Sequence, residues 1–190
     1  RRDRTSPRWR RGSAWCRGGA HGGTSPWISA RYRVVLRSRS SAGPTLIVLA
    51  EHKAPVYDKA GLKLITSTIR RFAPDMLDPK IHHNNLIQSI LAKIQANQAG
   101  ADDAVMLDPR GFLAETNATH LFLVFGSELA TPFCHNCPEG ITRATVLDLC
   151  RKNQIPCRER DLSLTEGYRA DEIFCTGTMG ELAPVLELDG

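Results

Sequence analysis

Leu86, Ile87, Ile90, Leu91 and Ile94 recur at the spacing that places side chains along one stripe of an α-helix. Asn84 or Asn85 is suited to cap its start, and Gly100 to stop it. This is the strongest periodic signal in the chain, and it stands between segments of a different kind. Upstream, 45–50 is a short apolar run and 62–69 a second one opened by Gly61, both of strand length. Downstream, 104–107 and 112–114 flank Asp108-Pro109-Arg110-Gly111. Pro at the second turn position and Gly at the fourth suit a type I turn, so the pair reads as a hairpin. Further strands are predicted at 120–125 and 128–131. Val146, Leu149 and Cys150 predict a helix over 142–152, and Ser163 with Glu166 three residues on predicts a short capped helix. Ile173-Phe174-Cys175 reads as a strand running into a small-residue turn at 176–180. A helix set between strands, with several antiparallel pairings, makes the fold mixed α/β (α+β).

Charge divides the chain unevenly. The net charge is +5, yet residues 1–40 carry eleven Arg against one acid, Asp3, so the remainder is mildly acidic. Trp9, Trp15 and Trp27 also sit in this first segment. Residues 1–43 read as a basic low-complexity tail, disordered over 1–30, with a weak strand pattern at 31–37. An Arg- and Trp-rich tail is suited to gripping nucleic acid, but no recognised nucleic-acid motif accompanies it. An organellar leader is the alternative to a plain cytoplasmic location. No run of eighteen apolar residues predicts a membrane span. The six cysteines are scattered through a chain with adequate core material, which reads as reduced thiols rather than a disulfide framework.

Three separated segments carry the chemistry. Glu115-Thr116-Asn117-Ala118-Thr119-His120-Leu121-Phe122 sets a carboxylate beside a strand. Gly140-Ile141-Thr142-Arg143 opens a helix with a glycine, where free backbone N–H groups attract an anion. Thr176-Gly177-Thr178-Met179-Gly180-Glu181 is a second small-residue turn able to aim N–H groups at an anion.

In order and spacing these segments resemble the class IV (fold type IV) pyridoxal-phosphate aminotransferases, in particular the branched-chain group, over roughly 44–190. The resemblance implies a large cofactor-binding domain at 75–190 and a remnant of the small N-terminal domain with its linker at 44–74. It implies transamination between an amino acid, branched-chain or D-amino acid, and a 2-oxo acid, with pyridoxal 5'-phosphate as cofactor and a homodimer as the assembly. Glu115 stands at the position that holds the pyridine nitrogen protonated. Ile141, Thr142 and Thr178 stand at the phosphate, and Met179 and Gly180 at the substrate carboxylate. A lyase of the same fold and an inactive relative are the alternatives.

The resemblance also requires a lysine that binds the cofactor aldehyde and moves the α-proton. Matching Lys80 and Asn84 to the branched-chain pattern puts Lys80 there, at the cost of one inserted residue before Gly100; a gap-free match to D-amino-acid enzymes puts His82 there. Lys80 is the expected catalytic residue; His82 in that place would end transamination. His120, Asn85 and Pro138-Glu139 depart from the family pattern, and neither Arg70 nor Arg71 matches the family's phosphate-binding arginine. No metal site is expected. Cys134-His135-Asn136-Cys137 has the gap of a zinc knuckle, but Cys150 and Cys157 would have to complete it, and their spacing is wrong.

Overall fold

The computed structural model describes residues 57, 60–81 and 83–190. The basic segment 1–43, the strands expected at 31–37 and 45–50, and His82 lie outside the described residues. Those described belong to one compact unit, Lys53–Gly190.

Among the described residues eight strands form one sheet: β1 (Leu62–Thr66), β2 (Asp103–Leu107), β3 (Leu113–Thr116), β4 (His120–Phe125), β5 (Glu128–Pro132), β6 (Cys157–Arg160), β7 (Glu172–Gly177) and β8 (Glu181–Leu188). Their order is β3-β2-β1-β8-β7-β4-β5-β6. β1 runs parallel to both β2 and β8, whereas β2–β3, β4–β5, β4–β7 and β7–β8 are antiparallel. The hairpin expected around Asp108 is present. Gly111 N–H donates to the Asp108 carbonyl at 3.0 Å, and the Asp108 carboxylate accepts from the amides of Arg110 and Phe112. The sheet curls. β3, at one edge, reaches β4 through the Thr116 N–H to Thr119 carbonyl bond, and Leu113 N–H donates to the Leu162 carbonyl beyond β6. Inside the curl lies the main core, with Leu62, Leu64, Val105, Leu113, Leu121 and Leu123 all buried.

Because β1 is hydrogen-bonded between β2 and β8, residues 62–66 belong to the same sheet as everything downstream. A boundary drawn at 74 therefore falls after a central strand rather than between two cores.

Among the described residues four helices decorate the sheet: α1 (Pro74–Leu77), α2 (Ile87–Gln98), α3 (Ile141–Lys152) and α4 (Leu164–Arg169). α4 carries the expected capping box, with the Ser163 hydroxyl and the Glu166 carboxylate satisfying each other's backbone N–H. α2 differs from expectation at its start. Its N-cap is Leu86 without a side-chain cap, so neither Asn84 nor Asn85 takes that position. Its apolar stripe faces outward. Ala92 and Ala96 are the buried residues, packed with Ala104 and Met106, while Leu86, Ile87, Ile90, Leu91 and Ile94 are 41–51% exposed. The alanines let the helix axis approach the sheet closely, which the larger stripe on the opposite side would prevent. On α3, Val146 and Cys150 pack with Phe122 and Phe174, but Leu149 points to solvent. Among the described residues no helix is long and apolar enough to cross a membrane.

Candidate active site

The segment 115–120 folds locally because of Thr116. Its hydroxyl accepts from the amides of Ala118 and Thr119 at 3.1 and 2.8 Å, closing a tight turn between β3 and β4. Asn117 ties that turn to β2: its side-chain carbonyl accepts from the Ala104 amide at 2.7 Å and its amide donates to Asp103 at 3.1 Å. The turn places Glu115, at the end of β3, beside His120, at the start of β4. Their closest approach is 3.7 Å, between Glu115 Oε2 and His120 Nε2.

Glu115 is buried and its other oxygen, Oε1, is in contact with the Arg71 guanidinium. Burial pushes the Glu115 carboxyl up to about 7, against the opposing pull of Arg71 and then of His120. Arg71 also donates from Nε to the Asn136 carbonyl at 3.2 Å and from Nη1 to Ser89 Oγ at 3.0 Å. It thus joins the irregular segment after β1, the helix α2 and the loop before α3 around one buried carboxylate. Sequence reasoning passed over this arginine because it matches no family position; its signal was a cation directly after an apolar strand with a single acid in strand-like sequence downstream.

His120 links Glu115 to the start of α3. Its Nε2 lies 2.7 Å from the Pro138 carbonyl, and its ring lies against Gly140. Gly140 has φ +69°, and a Cβ there would come within 2.5 Å of the imidazole. Gly140 is the N-cap of α3, which has no side-chain cap, so the first helical amides at Ile141 and Thr142 lack the usual hydroxyl or carboxylate partner. Arg143 anchors this first turn from beneath, donating to the Pro132 carbonyl at 2.8 Å and pairing with Glu159 at 2.5 Å. Ile141 is exposed and Thr142 partly so.

Opposite His120 in the β4–β7 ladder is Thr176. Cross-strand partners share a face, so the Thr176 side chain lies on the His120 side of the sheet. Its Oγ1 is buried and has no hydrogen-bond partner among the described residues. Thr178 is two residues further on, in the β7–β8 turn, roughly 7 Å along the chain at strand spacing. Thr178 is exposed and Met179 partly buried; Gly180 is buried, and a Cβ there would run into the Tyr57 ring.

Lys80 is half-exposed, with its amine 3.8 Å from Glu139. It lines a cleft of about 360 Å³ together with Cys134, Glu139 and Arg143. Glu115, Ile141, Thr142 and Thr178 do not line that cleft. Cys134 joins the two regions. It lines the cleft and, on its inner side, meets His120 and Cys137, the ligand atoms of the three lying within 4.8 Å of one another. The hydrogen bond from Cys137, and after it those from His120 and the charge of Arg143, hold the Cys134 thiol below its ordinary range despite burial. Cys137 is pushed up, first as the donor to Cys134 and then by burial. Burial alone would lower the His120 imidazole, but Cys134, Glu115 and the Pro138 carbonyl raise it. Among the described residues, the partner of Cys134 and Cys137 is therefore His120, not Cys150 or Cys157.

A profile of the amino-transferase class IV family matches residues 20–188. The chain is 55% identical over 149 residues, 78% of its length, to branched-chain-amino-acid aminotransferase-like protein 2 of Arabidopsis thaliana, covering 27% of that protein. Among solved structures it is similar to the branched-chain aminotransferase of Thermoproteus uzoniensis with norvaline. There the TM-score is 0.73 at 30% identity, with 75% of this chain and 49% of that one covered. The branched-chain amino acid aminotransferase of Thermobaculum terrenum in its PLP form gives a TM-score of 0.70 at 32% identity, with coverage of 75% and 48%. The chain thus spans about half the length of these solved relatives and about a quarter of the plant one.

Proposed function

The chain belongs to the class IV amino-transferase family, and we propose that it takes part in pyridoxal-phosphate-dependent transfer of an amino group between an amino acid, of the branched-chain or D-amino acid class, and a 2-oxo acid. The observation that carries this reading is the buried Glu115 carboxylate, linked through His120 to the uncapped start of α3.

The residues fit a phosphorylated pyridine. Arg71 occupies Oε1 of Glu115, and Oε2, which lies 3.7 Å from His120 Nε2, is the oxygen that would be offered to a pyridine nitrogen. The amides of Ile141 and Thr142 at the start of α3 supply N–H groups for a phosphate, and Thr178 a hydroxyl. The orphaned Thr176 Oγ1 on the His120 side is a buried donor awaiting an acceptor. Bound there, the cofactor supplies an electron sink for removal of the substrate α-proton. Glu115 keeps the charge at the ring nitrogen, and burial strengthens that interaction by excluding water. Lys80 lines the neighbouring cleft rather than the surroundings of Glu115, and it is the amine that would have to reach the cofactor to attach it and move the α-proton. Met179 and Gly180, with the turn that follows β7, hold the substrate carboxylate by their amides. A homodimer has a surface available in the exposed stripe of α2, whose leucines and isoleucines a second copy would cover.

The test is borohydride trapping of the protein incubated with pyridoxal phosphate, followed by peptide mapping. Label on Lys80 that vanishes in Lys80→Ala supports the assignment. Absence of label, with no visible absorbance from bound cofactor, overturns it and leaves a family member without transamination chemistry.

A further inference from the structure

The C-x-x-C pair before α3 has no place in that chemistry, and the fold brings it against the imidazole at the start of β4. We propose that His120, Cys134 and Cys137 form a zinc site with three protein ligands and a water as the fourth.

Their ligand atoms lie within 4.8 Å of one another. A tetrahedral zinc ion binds thiolate at about 2.3 Å and imidazole at about 2.0–2.1 Å, which sets ligand atoms roughly 3.5–4 Å apart. Contraction by about an ångström closes the set around an ion. The donor types suit the metal: two soft thiolates and one imidazole select zinc over the oxygen-seeking magnesium and calcium.

The ligands are held in place by contacts that need no metal. The His120 ring is fixed by the Pro138 carbonyl and by packing on Gly140. A carbonyl that accepts the proton of one ring nitrogen leaves the other with its lone pair, as in most zinc-bound histidines. The loop carrying both thiols is pinned through Asn136. Its side-chain amide donates to the Phe72 carbonyl at 2.7 Å, and its own carbonyl accepts from Arg71. Cys137 is fully buried, whereas Cys134 lines the cleft, which gives solvent and an ion access to the cluster.

Charge balances as well. Two thiols lose their protons to solvent as the ion arrives, and two thiolates neutralise it. Glu115 remains paired with Arg71, and Arg143 with Glu159. The buried cluster gains no net charge, so the desolvation cost of an isolated ion does not arise. Sequence spacing alone hid the site, because the third ligand lies upstream of the C-x-x-C pair on another strand.

The full chain, reduced and stripped with a chelator, is titrated with Co2+ as the spectroscopic stand-in for zinc. The expected result is a thiolate-to-cobalt charge-transfer band in the near ultraviolet, with visible bands of tetrahedral intensity, saturating at one ion per chain and displaced by Zn2+. Cys134→Ser and Cys137→Ser should each weaken binding by more than the ~10–100-fold typical of losing an outer partner. Cys150→Ser/Cys157→Ser should bind as the parent does. If Cys137→Ser does not fold, the parent protein decides: Zn2+ should raise its Tm and a chelator reverse the shift. No charge-transfer band, an unchanged band in both single variants, equal loss in the Cys150/Cys157 variant, or a Cys134–Cys137 disulfide that persists under reductant would each overturn the proposal. Cofactor binding is read from its own visible absorbance, so either reading can fail while the other stands.

Discussion

Replacing Arg71 with methionine removes the guanidinium in contact with the buried Glu115 while keeping much of the side chain's volume. Breaking a buried ion pair from one side costs about 3–5 kcal/mol once the remaining group is charged. The variant also loses the hydrogen bonds to the Asn136 carbonyl and Ser89, each an added cost of about 1 kcal/mol. The sharper signature is in the pH dependence. The Glu115 carboxyl is raised from its ordinary 4.5 to about 7 in the folded parent. The folded state therefore holds a proton that the unfolded state has released across that window, and stability falls as pH rises through it. Above about 7 both states are ionised and the Glu115 contribution is flat. Without Arg71 the folded value moves higher still, so the decline continues above 7, with a limiting slope of about 1.4 kcal/mol per pH unit. Urea denaturation over a series from about pH 5 to 9, with the m-value monitored, measures this directly. Adding Glu115→Gln to the variant should abolish the extra slope and recover most of the lost stability, because no buried charge is then left alone. Parallel pH profiles for parent and Arg71→Met above 7, or an unchanged slope in the double variant, would refute the assignment of Glu115 as the buried carboxylate that Arg71 compensates.

Two further substitutions probe the scaffold of the site. Gly140→Ala introduces a Cβ within 2.5 Å of the His120 ring at a φ of +69°, and should destabilise by about 1–3 kcal/mol while shifting the His120 ring resonances in NMR; unchanged resonances would mean the two are not in contact. Asn117→Ala leaves the Ala104 amide without its 2.7 Å acceptor and should cost about 1–3 kcal/mol in chemical denaturation, whereas a loss under about 0.5 would show that solvent replaces the bond.

Local chemistry made much of this fold legible. The Asp108-Pro109-Arg110-Gly111 turn and the Ser163–Glu166 box are self-contained, their hydrogen bonds made within a few residues, and both stand as read. β6 and β8 went unread for different reasons. Arg158 and Glu159 leave β6 without an apolar alternation, and Pro184 interrupts β8. The helix α2 was legible from its period, but period alone does not say which of two faces is inside; here small side chains in close contact win over large ones. At the site, Glu115 and Gly140 were recognisable one by one. The imidazole that joins them was noticed only as a departure from pattern, and its two thiol neighbours were weighed only with Cys150 and Cys157 and set aside. Those contacts depend on β4 and the loop before α3 meeting in space, which spacing along the chain does not encode.

The position of β8 has a consequence for how the molecule assembles. Among the described strands, β1, β2 and β3 lie on one side of it and β7, β4, β5 and β6 on the other. The two groups are joined in the ladder only through β8, which follows all of them in the chain. Its far end is clasped by Asp189, whose N–H donates to the Leu64 carbonyl and whose carboxylate accepts from the Thr66 amide and hydroxyl, 123 residues away in sequence. Each group can pair its own strands early, but the two cannot join into one sheet until this last strand arrives. Folding is thus gated by loop closure over most of the described chain, the kind of non-local step that slows a protein far more than its size would. Until then, the edges of β1 and β7 stand open, and the interval before closure is when the chain is most exposed to mispairing with another copy.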